Sequence, residues 1–168
     1  EAESAGPGAN GLVIVPFFAG AGAPHWNADA RGLIYGLTLG HTRGDIARAV
    51  MEGVAFEVRT NLDVMRSVGI GIGGLVLDGG AARSGLWNRI FANVCDVPCT
   101  VSRDVEATVK GAAILAASAI KGEEVAVTAE AFLSEGEDVR SEESTSARYR
   151  ELYRRYAEIR NIALQSHP

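Results

Sequence analysis

Leu75-Val76-Leu77-Asp78-Gly79-Gly80-Ala81-Ala82-Arg83-Ser84-Gly85-Leu86-Trp87 is the stretch whose reading decides the fold. Three apolar residues run straight into Asp-Gly-Gly, which reads as a buried strand ending on backbone bare of side chains. Ser84 stands where an N-cap belongs, ahead of Leu86, Ile90, Phe91 and Val94 on one helical face. A strand end, a glycine turn and a helix N-terminus form the arrangement at which open α/β sheets hold nucleotides and other anions. The same pattern also makes plain tight connections, so by itself it leaves both readings open.

Working outward, the pattern alternates between strands and helices. Upstream, Ile46, Ala49, Val50, Gly53, Val54, Val58, Leu62 and Met65 recur at helical spacing from about Arg43 to Ser67. Arg48, Glu52, Glu57 and Arg59 fall largely on the other faces of that helix. Thr42 is its expected N-cap, with Asp45 at the positive end of the dipole. Gly53 costs on the order of 1 kcal/mol inside a helix; close contact with a neighbouring element is the expected reason to keep it. Gly11-Leu12-Val13-Ile14-Val15-Pro16-Phe17-Phe18 and Arg31-Gly32-Leu33-Ile34-Tyr35-Gly36-Leu37-Thr38 read as strands. Between them, the small-residue loop from Ala19 to Asn27 either lies against a ligand or another domain, or is a surface loop with Trp26 anchored in the core.

Downstream, the helix from Ser84 ends near Asp96, since Pro98 cannot continue it. Cys99-Thr100-Val101 is a short strand, and Val109 to Ile120 is a helix whose alanine and glycine seam suits close packing. Residues from Gly122 to Ser146 (with Glu123, Glu124, Glu135, Glu137, Asp138, Glu142 and Glu143) read as an acidic solvated loop with one short helical turn. The tail from about Ala147 to Gln165 is an amphipathic closing helix. These elements place the chain in the α/β class. Residues 1–10, small, polar and turn-rich, read as a linker or the remnant of an upstream segment, and residues 11–168 as one domain.

Composition narrows the functional classes. The 168 residues are 47% hydrophobic and 22% charged, the balance of a soluble globular domain. A net charge of -5 without a basic run gives no nucleic-acid surface. No apolar run approaches the ~20 residues of a membrane span, and no secretory signal is present, so the expected location is the cytoplasm. Cys95 and Cys99 read as buried reduced thiols; His25, His41 and His167 lie far apart, and no metal site is expected.

Several ordered motifs carry a resemblance. Gly32-Leu33-Ile34-Tyr35-Gly36-Leu37, then seven residues, then Asp45-Ile46-Ala47-Arg48-Ala49-Val50-Met51-Glu52, resembles the second signature of the FGGY carbohydrate kinases. Matching pieces follow that family's order: the strand before Pro16, Ala23-Pro24-His25-Trp26, Gly53-Val54-Ala55-Phe56, Asp78-Gly79-Gly80-Ala81 with Ser84 and Leu86-Trp87, and Gly111-Ala112-Ala113. The resemblance covers about Gly11 to Gly122. It implies part of the C-terminal domain of an actin-like, ribonuclease-H-like ATPase fold, a small sheet flanked by helices, using ATP with Mg²⁺. It further implies that Gly79, Gly80 and Ala81 meet the adenosine of ATP, with Ser84 near the purine.

The family's phosphate loop, its sugar-binding residues and its catalytic aspartate precede the matched region. Asp29, Asp45 and Asp78 sit outside the catalytic motif, so the base is expected upstream and the chain alone is expected to be inactive. His41-Thr42-Arg43 and the Gly80–Trp87 stretch point to a xylulokinase-like branch acting on a ketose, whereas Gly20-Ala21-Gly22-Ala23-Pro24 is closer to glycerol kinases. The xylulokinase-like reading stands ahead of the glycerol or polyol kinase reading. A different class, a non-catalytic nucleotide-binding or assembly module, stays open, as does a homo-oligomer formed through apolar surface around Phe17 to Trp26.

Overall fold

The computed structural model describes residues 1–103, 106–132 and 136–165. Its longest element is α1, Arg43–Ser67, which starts as the sequence predicts: the Thr42 hydroxyl accepts from the Asp45 N–H, and the Asp45 carboxylate accepts from the Thr42 N–H at 2.7 Å. The Thr42 hydroxyl and amide hold the Asp45 carboxyl below its ordinary pKa. Along α1 runs β1, Val13–Val15, paired antiparallel with β2, Leu33–Tyr35, so that Ile14 faces Ile34.

A second sheet holds β3 (Leu75–Leu77), β4 (Cys99–Val101) and β5 (Glu137–Val139) in that order. β3 and β4 are parallel with Leu75 beside Cys99, and β4 and β5 are antiparallel with Cys99 beside Val139. Between β3 and β4 the chain passes through α2, Gly85–Cys95, which ends on Asp96 in a left-handed conformation (φ 55°). After β4 come α3 (Ala107–Lys121) and α4 (Val125–Glu130), and after β5 comes α5 (Glu143–Gln165).

The core lies where α1, α2, α5 and the inner sides of both sheets meet, with Val15, Phe56, Leu77, Ile90, Phe91, Val94 and Tyr156 buried. Phe56 of α1 projects among three tyrosines of α5, with ring centroids 6.1, 5.8 and 4.9 Å from Tyr149, Tyr153 and Tyr156. Such aromatic pairs add about 0.5–1.5 kcal/mol each beyond their buried area. Cys95 and Cys99 are free and buried, and burial pushes their thiols up to about 12 and about 11.

Four expectations change. Arg48 and Glu52 are not on an outer face of α1 but inside, 6% and 3% exposed, while Ile46 and Met65 of the expected apolar stripe are exposed. The reason is pairing: Arg48 Nε donates to Glu52 Oε1 at 2.9 Å, and Tyr149 of α5 donates to the same oxygen at 2.8 Å. The segment 1–10, which composition marks as a linker or the remnant of an upstream segment, is not a free linker but lies on α1. There Gly8 N–H donates to Glu52 Oε1 at 3.0 Å, Arg48 Nη1 donates to Ala5 O at 2.9 Å, and Ala9 is buried. The acidic stretch contains a strand, β5, besides the short helix; Glu135 of that stretch, like His167, lies outside the described residues. Finally, the small-residue seam of α3 is largely open, although the helix touches α4: Ser118 alone is fully buried, and a Cβ on Gly111 would meet nothing within 4 Å.

Gly53 behaves as its position requires. A Cβ there would run into the carbonyl oxygen of Ile14 in β1, with Pro16 Cδ at 3.3 Å. Gly53→Ala therefore gains about 1 kcal/mol of helix propensity but incurs an overpacking cost of about 1–3 kcal/mol, and a net loss of stability is expected. Gly111→Ala, in open space, is expected to stabilise by about 0.5–1 kcal/mol. Urea denaturation of the two variants checks the pair; equal shifts would contradict the close α1–β1 approach.

Candidate functional site

β3 delivers the chain to the site. Leu77 is buried and pins the strand end, Asp78 is exposed, and Gly79 turns the backbone with φ 76° and ψ -171°. A left-handed φ of that kind is open to glycine and strained for other residues. Gly80–Arg83 then form a 3₁₀ turn, in which Ala82 N–H donates to Gly79 O at 3.2 Å and Ser84 N–H to Ala81 O at 3.0 Å. Gly80 has no positive φ; what it supplies is space, since a Cβ on either Gly79 or Gly80 would meet nothing within 4 Å.

Ser84 caps α2 as expected, its Oγ accepting from Trp87 N–H at 3.3 Å. The amides of Gly85 and Leu86 then head the helix with no carbonyl before them, at the positive end of its dipole. The structure thus brings Gly79, Gly80, Ala81 and Ser84 into one turn, Gly79 half-buried and the other three exposed, with bare backbone on one side and a hydroxyl on the other. That surface suits a flat ring laid on glycine backbone, with a donor hydroxyl at its edge.

Asn88 is a residue that sequence reading missed. It is 7% exposed, and its Nδ2 donates to Ala82 O at 2.8 Å, stapling the 3₁₀ turn to α2. The available signal was an asparagine four residues after the cap, level with the buried stripe. Beside this staple an open cleft lies between Arg83, Gly85 and Asn88 on one wall and Val101 and Asp138 on the other. Among the described residues no three His, Cys, Asp or Glu side chains gather into a set fit to hold a metal ion.

In the loop after β1 the structure bears on one of the two readings, the tryptophan anchored in the core. Trp26 is 81% and Phe18 69% exposed, so Trp26 does not anchor the loop. Phe17 and Ala21 are buried instead, and Asn61 of α1 holds the loop by donating to Ala23 O at 3.1 Å. His25 turns inward: its Nε2 lies 3.5 Å from Glu57 Oε2, and its ring meets Phe17 edge-on at 5.9 Å. Burial lowers the His25 pKa; Glu57 opposes the shift and the Arg160 guanidinium adds to it.

Residues 1–120 match the FGGY family of carbohydrate kinases, C-terminal domain. The glycerol kinase of Rhodopirellula baltica is 45% identical over 108 residues, 64% of this chain and 20% of that protein. Gluconate kinase from Lactobacillus acidophilus superimposes with a TM-score of 0.83 at 27% identity, over 98% of this chain and 34% of that one. Ligand-bound xylulose kinase from the same organism gives 0.82 at 27% identity, again over 98% and 34%. The chain therefore spans a fifth to a third of the length of the relatives it matches. Small sheets flanked by helices are what the resemblance to an actin-like ATPase fold implied.

The His25 environment sets a pH dependence. The unfolded chain takes up this proton near the ordinary value of 6.5, and the folded chain only at lower pH. Stability from this group is therefore complete above that value and declines as pH falls below it, until the folded ring also protonates. Denaturant midpoints at pH 7.5 and at about pH 5.5 are expected to differ more in the wild type than in His25→Gln, His41 being common to both. An equal drop in the two proteins would contradict the buried setting of His25.

Proposed function

The chain belongs to the FGGY family of carbohydrate kinases, and from that premise we propose that it is the nucleotide-holding C-terminal part of an enzyme that moves the γ-phosphate of ATP to a hydroxyl of a sugar or polyol. The observation that carries the proposal is the turn at the end of β3. Gly79 bends the chain, Gly80 leaves room for a base to lie against backbone, and Ala81 keeps the platform low. Ser84 Oγ already accepts from Trp87 N–H, so its own proton is left to donate to a ring nitrogen of the purine. The Asn88 staple keeps this platform from collapsing when no ligand is bound. These residues bind and orient; none of them is a base.

Phosphoryl transfer needs a positioned base, phosphate donors and Mg²⁺. ATP supplies the phosphoryl group, and the base and the metal ligands belong to parts of the enzyme outside these residues. The proposed location is the cytoplasm, where ATP and small polyols are available. For the acceptor, the sequence motifs favour a xylulose-like ketose. The 45% identity to a glycerol kinase supports glycerol as the second reading.

Two measurements test this. ATP titrated calorimetrically into the kinase carrying Gly80→Val is expected to bind at least about tenfold more weakly, a loss of about 1.4 kcal/mol, with acceptor affinity unchanged. Gly80 has neither a positive φ nor a near neighbour, so the variant is expected to fold. Ser84→Ala is expected to lose about 0.5–2 kcal/mol of stability as a missing cap and to weaken ATP binding as well. Unchanged ATP affinity in folded Gly80→Val removes this turn from the nucleotide site. In a coupled assay with ATP, Mg²⁺, xylulose and glycerol, residues 1–168 alone are expected to show no turnover. Turnover surviving removal of contaminating kinases would mean that the base lies within them.

A further inference from the structure

α2 buries two asparagines, and the fold uses them unequally. Asn93, 4% exposed, engages its whole amide: Nδ2 donates to Arg89 O at 2.7 Å, and Oδ1 accepts from Glu142 N–H at 2.8 Å and from Ser146 Oγ at 3.0 Å. Asn88, 7% exposed, engages half of its amide. Its Nδ2 donates to Ala82 O at 2.8 Å, while its Oδ1 is buried with no hydrogen-bond partner among the described residues. Turning the amide over would not help, because it would set Oδ1 against the Ala82 carbonyl oxygen.

For the fold alone, asparagine is a poor residue at this position. A buried acceptor left without a donor loses at least as much as a neutral hydrogen bond gains. Asparagine is also a weaker helix former than leucine, which has nearly the same size. Its neighbours along α2 are apolar: Ile90 and Phe91 are buried in the core, and Leu86 and Trp87 pack against it. What Asn88 supplies is a donor for the Ala82 carbonyl. The other bonds of that turn, Ala82 N–H to Gly79 O and Ser84 N–H to Ala81 O, begin and end within it. The Asn88 bond crosses from the turn to the body of α2.

We propose that Asn88 is a positioning residue for the nucleotide, kept at the expense of fold stability: it holds the Ala82 carbonyl inward, so that the Gly79–Ser84 turn has its binding shape before ATP arrives. This rests on the reading of that turn as the nucleotide site. Without the donor, the Ala82 carbonyl turns toward water and the short 3₁₀ segment loses its shape. ATP must then re-form the turn as it binds, and the free energy of ordering is subtracted from its affinity. Asn88 acts through the turn and contacts no reacting atom.

Asn88→Leu in the kinase separates service to the fold from service to the site. Its thermal midpoint is expected to match or exceed that of the wild type, since the orphaned acceptor is gone and helix propensity rises. Asn93→Ala, which removes a fully engaged amide, is expected to lower the midpoint clearly. In Asn88→Leu the Kd for ATP, and the KM for ATP with it, is expected to rise roughly three- to tenfold, with kcat at saturating ATP falling less than about twofold. The Ala82 and Ser84 amides are expected to exchange roughly tenfold faster in the nucleotide-free variant. Unchanged ATP affinity in folded Asn88→Leu overturns the proposal. So does a midpoint lowered as far as in Asn93→Ala, because Asn88 then serves the fold, and so does a kcat lowered as much as KM is raised. Weaker ATP binding in Gly80→Val with unchanged binding in Asn88→Leu refutes the positioning role alone; unchanged binding in both refutes the nucleotide site beneath it.

Discussion

Two opposite charges sit inside this protein, and most of its geometry depends on how they are satisfied. Glu52 Oε1 accepts from Arg48 Nε, from Gly8 N–H and from the Tyr149 hydroxyl, while Arg48 Nη1 reaches Ala5 O and Nη2 the Tyr149 hydroxyl. Burial opposes the charge on Arg48, yet its bonds to Glu52 and Tyr149 leave its pKa above the ordinary value. Burial, then the Glu52 carboxylate, pushes the Tyr149 phenol upward, so it stays a hydroxyl that both donates and accepts. Removing one partner from a buried pair of this kind costs about 3–5 kcal/mol. The network joins the N-terminal segment, α1 and α5, which share no local sequence.

With α1 held in that way, the site follows by packing. Gly53 lets β1 lie directly on α1, and α2 docks on the same helix through Ile90, Phe91 and Val94. Asn93 ties α2 to the start of α5, its Oδ1 accepting from Glu142 N–H at 2.8 Å and Ser146 Oγ at 3.0 Å. Those contacts orient α2, and Asn88 at its first turns holds the 3₁₀ segment. The Gly79–Ser84 turn is thus held from α2, although its own residues are small and largely exposed. A platform built from backbone needs such support, because it has no side chains with which to hold itself.

The closing helix and the glycine-rich composition play opposite parts. α5 contributes three tyrosines around Phe56 and buries apolar area that short strands cannot supply. The glycines cluster at strand ends and turns, where they permit close approach and cost conformational entropy. The result is a well-packed interior around α1 beside a three-stranded sheet and a helix, α3, that keep apolar surface in water.

Much of this was legible in the sequence, and for one physical reason. Caps, helix periodicity and turn chemistry are local, so Thr42, Ser84 and the bounds of α1 and α2 follow from neighbours within a few residues. The crowded Gly53 belongs to the same group, since a glycine inside a helix demanded an explanation, whereas which glycine of the Asp78-Gly79-Gly80 turn takes the left-handed conformation was not legible. What lay beyond reach depends on partners far along the chain. Arg48 and Glu52 look like surface charges until Gly8, 44 residues from Glu52, and Tyr149, 101 residues from Arg48, come into contact with them. β5 carries a charged pattern that reads as loop until β4 offers it an antiparallel ladder. One of the two readings of Trp26 put it in the core, and α3 looked built for close packing, yet burial is a property of what lies opposite a side chain. Only the tertiary structure decides that, because apolar patterning states a need for cover without naming its source.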